Sequence, residues 1–266
     1  MTKAVESELV DGIAIWRMNL VETRNAISDG NMIEELVELA EQAQANPDVR
    51  VVILTGNGPA FSSGGNVKKI RAEMTESNKT PHELANWYRE GIQRIPLALY
   101  DLEVPVIAAV NGPAIGAGFD VSMMCDIRIG STKARFGETF VNLGIIPGDG
   151  GAWFLPKALG HQRAAELTFT GRIVNAPEAL EIGIVLEVVE PDELMPRVHE
   201  LANEIAAKPP QALRIAKRLL RAGQSVPLPQ FLDMCATLQA GCHFSDDHEE
   251  ALNAFFEKRP GRYTGQ

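Results

Sequence analysis

The sequence has little cysteine, no long apolar run and no excess of positive charge. Its three cysteines, Cys125, Cys235 and Cys242, are odd in number and lack metal-ligand spacing, which argues against a disulfide framework or a metal centre. We therefore expect a reducing compartment, most simply the cytoplasm. There is no apolar run of about 18 residues and no basic start followed by an apolar stretch, so we expect neither a membrane span nor a signal peptide. A net charge of −10 disfavours broad binding to nucleic acid or anionic membranes.

The chain is long enough and apolar enough for a substantial core, since 45% of its 266 residues are apolar. Strand-like runs alternate with helical patterns at first, which predicts an α/β core with a mostly parallel sheet over residues 1–190. The later pattern is helical only, so residues 191–266 are expected to form a helical segment that docks on a partner subunit or covers a site. Within the core, we expect a loop over 73–81 and a helix over 83–100 that is broken near Pro96.

Two glycine-rich turns carry most of the functional information. They span residues 60–66 and 111–120, and they follow apolar runs at 49–55 and 104–110. A strand that ends in glycines and leads into a helix leaves unpaired backbone N–H groups pointing at one place. Two such turns side by side would aim two N–H donors at a single oxygen. They predict an oxyanion hole, which stabilises the negative charge that builds on a carbonyl oxygen.

Three other interpretations of these turns remain open. The spacing Gly112-x-x-x-Gly116-x-Gly118 is similar to a dinucleotide-binding pattern, but a lone glycine pattern is weak and no Tyr-x-x-x-Lys accompanies it. Ser62 and Ser63 lie beside glycines as a nucleophile could, yet Gly-x-Ser-x-Gly is absent. The turns could also be tight packing corners without chemistry, although an acid directly after the second turn disfavours that interpretation.

At these residues the chain resembles the crotonase family, the enoyl-CoA hydratase/isomerase superfamily. The resemblance runs over nearly the whole chain, through both glycine turns and through motifs in this order: Arg24-Asn25-Ala26, Met123-Met124-Cys125-Asp126, Phe136-Gly137, Leu143-Gly144-Ile145-Ile146-Pro147-Gly148 and Ala254-Phe255-Phe256-Glu257-Lys258-Arg259. It implies a crotonase-like spiral of ββα units with a helical C-terminal segment. It also implies an acyl-CoA substrate, no cofactor beyond the coenzyme A of that substrate, and homotrimers or hexamers.

The resemblance also implies roles for individual residues. The backbone N–H groups of Gly65 and Ala117 are similar in position to the two oxyanion donors, although the second is usually a glycine in the family. Lys68 is placed like residues near the CoA phosphates, and Phe255 and Lys258 resemble a pair that reaches the coenzyme A of a neighbouring subunit. Each lysine could instead be an ordinary solvated charge. The other implied substrate- or CoA-binding residues are Arg24, Ala26, Ser63, Gly64, Gly116 and Phe140.

Two carboxylates move protons in the family's hydratases, and only the first has a clear counterpart here. Asp120 lies in the helix after the second glycine turn, where its other role would be to complement the helix dipole. The second acid should follow Phe136-Gly137 by three residues, but Phe140 stands there and cannot transfer a proton. Asp149, at a glycine-rich helix start, is the better substitute, and Glu138 is the other candidate. Asp149 could instead be a helix N-cap.

These features predict an enzyme that stabilises a thioester enolate at Gly65 and Ala117 and moves protons with Asp120 and Asp149. We expect an enoyl-CoA hydratase, which adds water to a 2-enoyl-CoA. An enoyl-CoA Δ-isomerase is an alternative, because one base near C2 and C4 suffices for it. A hydrolase of CoA thioesters or β-diketones is a further alternative. The loss of the usual second glutamate also leaves open a catalytically inactive acyl-CoA binding protein.

Overall fold

The computed structural model describes residues 3–76 and 79–266, with the backbone alone at 73–76. The strands, in chain order, are β1 Val5–Val10, β2 Ile13–Met18, β3 Val51–Gly56, β4 Val106–Val110, β5 Pro113–Ile115, β6 Ile127–Ser131, β7 Arg135–Gly137, β8 Ile173–Asn175 and β9 Glu187–Val189. The helices are α1 Met32–Ala45, α2 Val67–Glu76, α3 Pro81–Glu90, α4 Arg94–Asp101, α5 Ala117–Met124, α6 Gly151–Leu159, α7 His161–Thr170, α8 Ala176–Glu181, α9 Leu194–Ala206, α10 Pro210–Ala222, α11 Leu228–His243 and α12 Asp246–Glu257. None of the helices in these described ranges is long and apolar enough to cross a membrane.

Six strands form the main sheet in the order β1-β2-β3-β4-β6-β9. β1 and β2 are an antiparallel hairpin, and the later pairs of this sheet are parallel. The hairpin turns at Asp11 and Gly12, whose φ angles of 50° and 80° match a type I′ turn. β3 and β4 are buried along their whole length, as parallel strands are when both faces of a sheet are covered. The predicted α/β class and mostly parallel sheet are confirmed.

A small three-stranded sheet, in the order β5-β7-β8, accompanies the main one. β5 pairs with β7 in parallel, and β7 pairs with β8 antiparallel. β5 ends directly before the glycine turn that begins α5, and Ser62 of the first turn forms a bridge to Ala114 of β5. The small sheet therefore brings the two glycine turns together. Its strands were not predicted, because three residues each are too few for a periodic pattern.

Apolar side chains cover both faces of the main sheet. On one face, Leu194 and Val198 of α9 belong to a cluster with Ile53 and Ile107 of the central strands. The larger cluster on the other face includes residues of α1, α4 and α5. Since α9 lies within the predicted C-terminal segment 191–266, part of that segment packs on the core. The boundary near residue 190 stays a prediction.

An ion pair between the buried Lys217 and the more exposed Asp126 holds α10 against the sheet. Nζ of Lys217 lies 2.6 Å from Oδ2 of Asp126 and donates to the carbonyl of Val104 at 2.7 Å. Burial lowers the pKa of Lys217 to about 8, and the charge of Asp126 opposes that shift. Removal of Asp126 would leave the buried charge of Lys217 without its partner. The pair therefore fixes where α10 docks.

Two local predictions were wrong. The segment 73–81, predicted as a loop, is helical as far as the end of α2 at Glu76, and residues 77–78 lie outside the described chain. The helix predicted over 83–100 breaks at Gly91, between α3 and α4, and not at Pro96. Pro96 lies in the first turn of α4, where the helix needs no backbone N–H donor.

Candidate active site

Backbone hydrogen bonds hold the two glycine turns against each other. The N–H of Ser62 donates to the carbonyl of Pro113 at 3.1 Å, and the N–H of Ile115 donates to the carbonyl of Ser62 at 3.0 Å. A Cβ on Gly118 would stand 2.6 Å from Cβ of Ser62, which is too close for any larger residue. The two turns are therefore in direct contact, as the oxyanion-hole interpretation requires.

Gly64 and Gly116 follow a backbone path that other residues rarely adopt. Their φ angles are 81° and 52°, in the left-handed region that favours glycine. A Cβ on Gly64 would also collide with the carbonyl oxygen of Ile115 and stand 3.2 Å from the backbone nitrogen of Ala117. The first turn thus lies directly against the N–H of Ala117.

Gly65 and Ala117 line one cavity. Within the described ranges, neither backbone N–H donates a hydrogen bond. Ala117 is the first residue of α5, and the N–H groups of a first helical turn have no partner inside the helix. Alanine supplies this N–H as readily as glycine would. The structure thus places both predicted oxyanion donors at the same cavity, and their catalytic role stays a prediction.

The cavity has a volume of about 540 Å³ and a largely apolar wall. The apolar side chains of the wall include Ile33, Ile70, Trp87, Phe140, Leu143 and Ile146. Ligand pockets commonly combine such a wall with a few polar groups that orient the ligand. Tyr88 and Asp149 are polar groups of this kind. The wall therefore suits the acyl part of a thioester.

Three carboxyl groups from separate segments meet beside this cavity. Asp120 lies in α5, Glu138 directly follows β7, and Asp149 lies shortly before α6. Asp149 is 4% exposed, and Asp120 and Glu138 are each 1% exposed. Of the three, Asp149 lines the cavity and the other two do not. The site therefore presents one carboxyl group to a ligand and has two more directly beside it.

Gly151 makes the close approach of these carboxyl groups possible. Its N–H donates to Oδ2 of Asp120 at 3.1 Å, and a Cβ on Gly151 would collide with carboxyl oxygens of both Asp120 and Glu138. Within the part of the chain that the structure describes, no N–H or hydroxyl group donates to four of the carboxyl oxygens: Oδ1 of Asp120, Oδ1 of Asp149 and both oxygens of Glu138. Buried oxygens need donors, so protons carried by the carboxyl groups themselves, or water, must satisfy them.

Burial raises the pKa of all three carboxyl groups and is the largest cause in each. The pKa of Asp120 is raised well above its usual range, because negative charge on Asp149 and Glu138 also opposes its ionisation. The pKa of Glu138 is raised to about 7, and that of Asp149 is raised as well, with a hydrogen bond from Asp120 opposing the shift in both. Every cause that acts on the pKa of Asp120 therefore favours its protonated form, in which it can donate a hydrogen bond to a neighbouring carboxylate.

Of the alternative roles that the sequence left open for the aspartates, the structure shows the first-turn position of Asp120 but not an N-cap at Asp149. Gly150, and not Asp149, occupies the N-cap of α6, and no side chain caps that helix. Asp120 lies in the first turn of α5, yet its hydrogen bond comes from the N-terminus of α6. Glu138, ranked below Asp149 from the sequence, joins both in one cluster, while Phe140 reaches the cavity wall.

The residues predicted to bind substrate or coenzyme A differ in where they lie. Ser63, Gly116 and Phe140 line the cavity. Arg24 is exposed, has a φ angle of 54°, and accepts the N–H of Ser63 at its carbonyl at 2.8 Å. Ala26 is buried. The first glycine turn is therefore tied to the Arg24 segment by its backbone.

Lys68, Phe255 and Lys258 are exposed and do not line the cavity. The last two lie at the end of α12, and their predicted role needs a neighbouring subunit, so it stays a prediction. Lys69, which follows Lys68 at the start of α2 and was weighed with it as a possible phosphate contact, lines the cavity, and its Nζ donates to the carbonyl of Ser28 at 2.7 Å.

The sequence profile of the enoyl-CoA hydratase/isomerase family matches residues 8–266. The chain belongs to this family. The short-chain-enoyl-CoA hydratase of Clostridium acetobutylicum is 36% identical over 248 residues, which cover 93% of this chain and 92% of that protein. The crotonyl-CoA hydratase of Syntrophomonas wolfei is 32% identical over 260 residues, which cover 97% of each. The resemblance inferred from the motifs is confirmed.

Solved structures of family members have the same fold. The enoyl-CoA hydratase of Bacillus anthracis matches with a TM-score of 0.91 at 33% identity, covering 99% of this chain and 100% of that one. A putative enoyl-CoA hydratase of Streptomyces coelicolor matches with a TM-score of 0.92 at 30% identity, covering 99% and 95%. The predicted crotonase-like fold is confirmed, and the protein is an enzyme of the hydratase/isomerase family.

Proposed function

We propose that the protein adds water to a 2-enoyl-CoA thioester as an enoyl-CoA hydratase. The observation that carries this proposal is that the oxyanion donors Gly65 and Ala117 and the carboxyl group of Asp149 line a single cavity. Relatives named as short-chain enoyl-CoA and crotonyl-CoA hydratases support it.

The thioester carbonyl is held by two backbone donors in this proposal. The N–H groups of Gly65 and Ala117 donate to its oxygen, and the apolar wall beside them takes the acyl chain. Negative charge grows on that oxygen as the enolate forms, so each donor acts more strongly in the transition state than on the substrate. One such donor contributes about 3–4 kcal/mol in a water-excluded site.

Asp149 and Asp120 move the protons. As the water oxygen bonds to C3, its proton goes to the carboxylate of Asp149, and the electrons of the double bond move onto C2 and the thioester oxygen. A proton then passes from the Asp149–Asp120 pair to C2. The pair ends the cycle with the number of protons it began with.

Enoyl-CoA Δ-isomerase is a second candidate, and one observation favours it. Phe140 occupies the place of the usual second acid, and Asp149 is the member of the acid cluster that lines the cavity. A single base within reach of C2 and C4 can move a proton between them.

Two substrates separate the candidates. A hydratase should consume crotonyl-CoA with loss of the absorbance of its conjugated double bond. An isomerase should convert a 3-enoyl-CoA into the conjugated 2-enoyl product and raise that absorbance. If the wild-type protein converts the 3-enoyl substrate but leaves crotonyl-CoA unchanged, the hydratase assignment is wrong and the isomerase assignment replaces it.

We also propose that no cofactor beyond the coenzyme A of the substrate takes part, and that Arg24, Ala26 and Lys68 contact coenzyme A. The scarcity of cysteine is the support for a proposed cytoplasmic location.

A homotrimer, or a hexamer made of two trimers, is the proposed assembly. Large apolar side chains left exposed on the C-terminal helices support it, among them Phe244, Phe255 and Phe256, because extensive exposed apolar surface marks interaction sites. Light scattering on the purified protein would measure the assembly mass.

A further inference from the structure

Glu138 does not line the cavity. It is 1% exposed, and among the described residues no N–H or hydroxyl group donates to either of its carboxyl oxygens, which leaves the carboxyl group of Asp120 as its donor. Burial of a carboxyl group without a donor is costly. The proton transfers at Asp149 do not use Glu138 directly. Neither contact with a ligand nor the proton transfers at Asp149 therefore explain why Glu138 is buried in this cluster.

A protonated Asp120 can donate its one O–H to either of the other two carboxyl groups. Its Oδ2 already accepts the N–H of Gly151, which leaves Oδ1 to carry a shared proton. Carboxyl oxygens of Asp120 and Glu138 border the same space above Gly151, and Asp120 is also close enough to Asp149 for each to shift the pKa of the other. One donor thus faces two acceptors.

None of the described groups that influence the cluster carries a positive charge. Burial raises the pKa of Tyr88 at the cavity wall, and negative charge on Asp149 raises it further. Among the described residues, no Lys, Arg or His shifts the pKa of any of the three acids. No described set of side chains has the geometry to hold a metal ion. Protons are therefore what neutralises this cluster.

We propose that Glu138 is a positioning residue that accepts the hydrogen bond of Asp120 while Asp149 carries a proton taken from the bound reactants. This inference rests on the proposed function. Before reaction, the O–H of Asp120 donates to the carboxylate of Asp149. When an O–H or C–H bond of the reactants breaks, the new O–H bond forms on Asp149, and the O–H of Asp120 turns to the carboxylate of Glu138. It turns back when Asp149 releases its proton, so no proton is gained or lost.

This role predicts which kinetic constant depends on Glu138. Without Glu138 as an acceptor, the O–H of Asp120 would face a protonated Asp149 and have no partner. That loss raises the cost of protonating Asp149, which is a step of turnover. Glu138 does not line the cavity, so binding of the substrate should hardly depend on it.

Infrared titration of the substrate-free protein tests the shared proton without any turnover. The wild-type protein should show protonated carboxyl bands at neutral pH, with one group titrating at a pH of about 7. Glu138→Gln should abolish that titration, and Glu193→Gln, the same change at an exposed residue, should leave it intact. Complete ionisation of the wild-type carboxyl groups at neutral pH would overturn the proposal, and this measurement needs no variant to fold.

Steady-state kinetics gives the second readout. Glu138→Gln should lower kcat by about tenfold and leave KM within about twofold. It should also move the acid limb of the kcat/KM profile to lower pH, because a negative charge near Asp149 is gone. Glutamine retains only a neutral acceptor oxygen, which binds the O–H of Asp120 more weakly than a carboxylate does. Glu138→Asp retains the carboxylate and should recover part of kcat. An unchanged kcat and pH profile in Glu138→Gln would overturn the positioning role. If the wild type shows the infrared titration but turns over neither crotonyl-CoA nor a 3-enoyl-CoA, the proposed function is wrong and the shared proton stands.

Discussion

The backbone N–H of Gly151 donates a hydrogen bond to Oδ2 of Asp120. The donor belongs to the first turn of α6 and the acceptor to α5, so the positive end of one helix holds a carboxyl group of another. This bond fixes the orientation of the Asp120 side chain. Its second oxygen is then left for Asp149 and Glu138, and a single amide sets the geometry of the whole acid cluster.

Asp149→Asn should lower kcat by about 10²- to 10⁴-fold with little change in KM. Asparagine has nearly the same shape but cannot accept a proton from water or from C2. Crotonyl-CoA and 3-enoyl-CoA assays measure the effect, and Asp192→Asn, an exposed residue, is the matched control. Full activity in Asp149→Asn would show that this carboxyl group has no chemical role.

Ala117→Pro should remove one oxyanion donor and spare the helix. Ala117 is the first residue of α5, a position where proline is favoured because its missing N–H has no helical partner. We expect kcat to fall by about 10²- to 10³-fold. Ala117→Gly retains the N–H and should stay close to wild type. Equal activity of the two variants, with unfolding transitions like that of the wild type, would place the oxyanion hole elsewhere.

Glu138→Gln should change how stability depends on pH. Glu138 has a pKa of about 7 in the folded protein, against a reference value of 4.5. Because this pKa is raised in the folded protein, Glu138 contributes fully to the free energy of unfolding below pH 4.5, and that contribution is lost as the pH rises through 7. Glutamine does not titrate, so the free energy of unfolding of the variant should rise relative to that of the wild type over this pH range, by up to about 3 kcal/mol. Urea unfolding at several pH values measures the difference, and parallel stability curves would contradict it.

Lys68→Ala should raise KM for a CoA thioester by about two- to fivefold at low ionic strength, because an exposed charge contributes modestly to binding a phosphate. The effect should shrink at about 1 M salt, where such charges are screened. Lys133→Ala, another exposed lysine, is the control. If the two variants have the same KM at every salt concentration, Lys68 does not contact the CoA phosphates.

The glycine turns could be predicted from the sequence because their constraint is local. Gly64 and Gly116 need positive φ angles, and glycine after an apolar strand indicates such a turn without knowledge of the rest of the fold. The family resemblance identified Asp120, which lies in the helix directly after the second turn. The break between α3 and α4 was predicted near Pro96 because proline usually interrupts a helix. Proline is acceptable in a first helical turn, and the sequence alone does not show that α4 begins just before Pro96.

The acid cluster could not be assembled from the sequence. The direction of the Glu138 side chain depends on the backbone after β7, where φ is −86° and ψ is 67° and the alternation of an extended strand fails. Its approach to Asp120 depends in turn on Gly151, a residue distant in sequence that leaves the space open. Motif comparison identified Phe140 as a departure from the family, but only the fold shows that Glu138 and Asp149 share one site.

The burial of Asp120 and Glu138 away from the cavity predicts which hydrogen isotope the product carries after turnover in heavy water. Neither lines the cavity, whereas Asp149 does, and all three are buried. While a thioester occupies that space, hydrogen abstracted by Asp149 is shielded from exchange with bulk solvent. A turnover in heavy water that shifts a double bond should therefore carry the original hydrogen to its new carbon, and solvent label should enter only after the product departs.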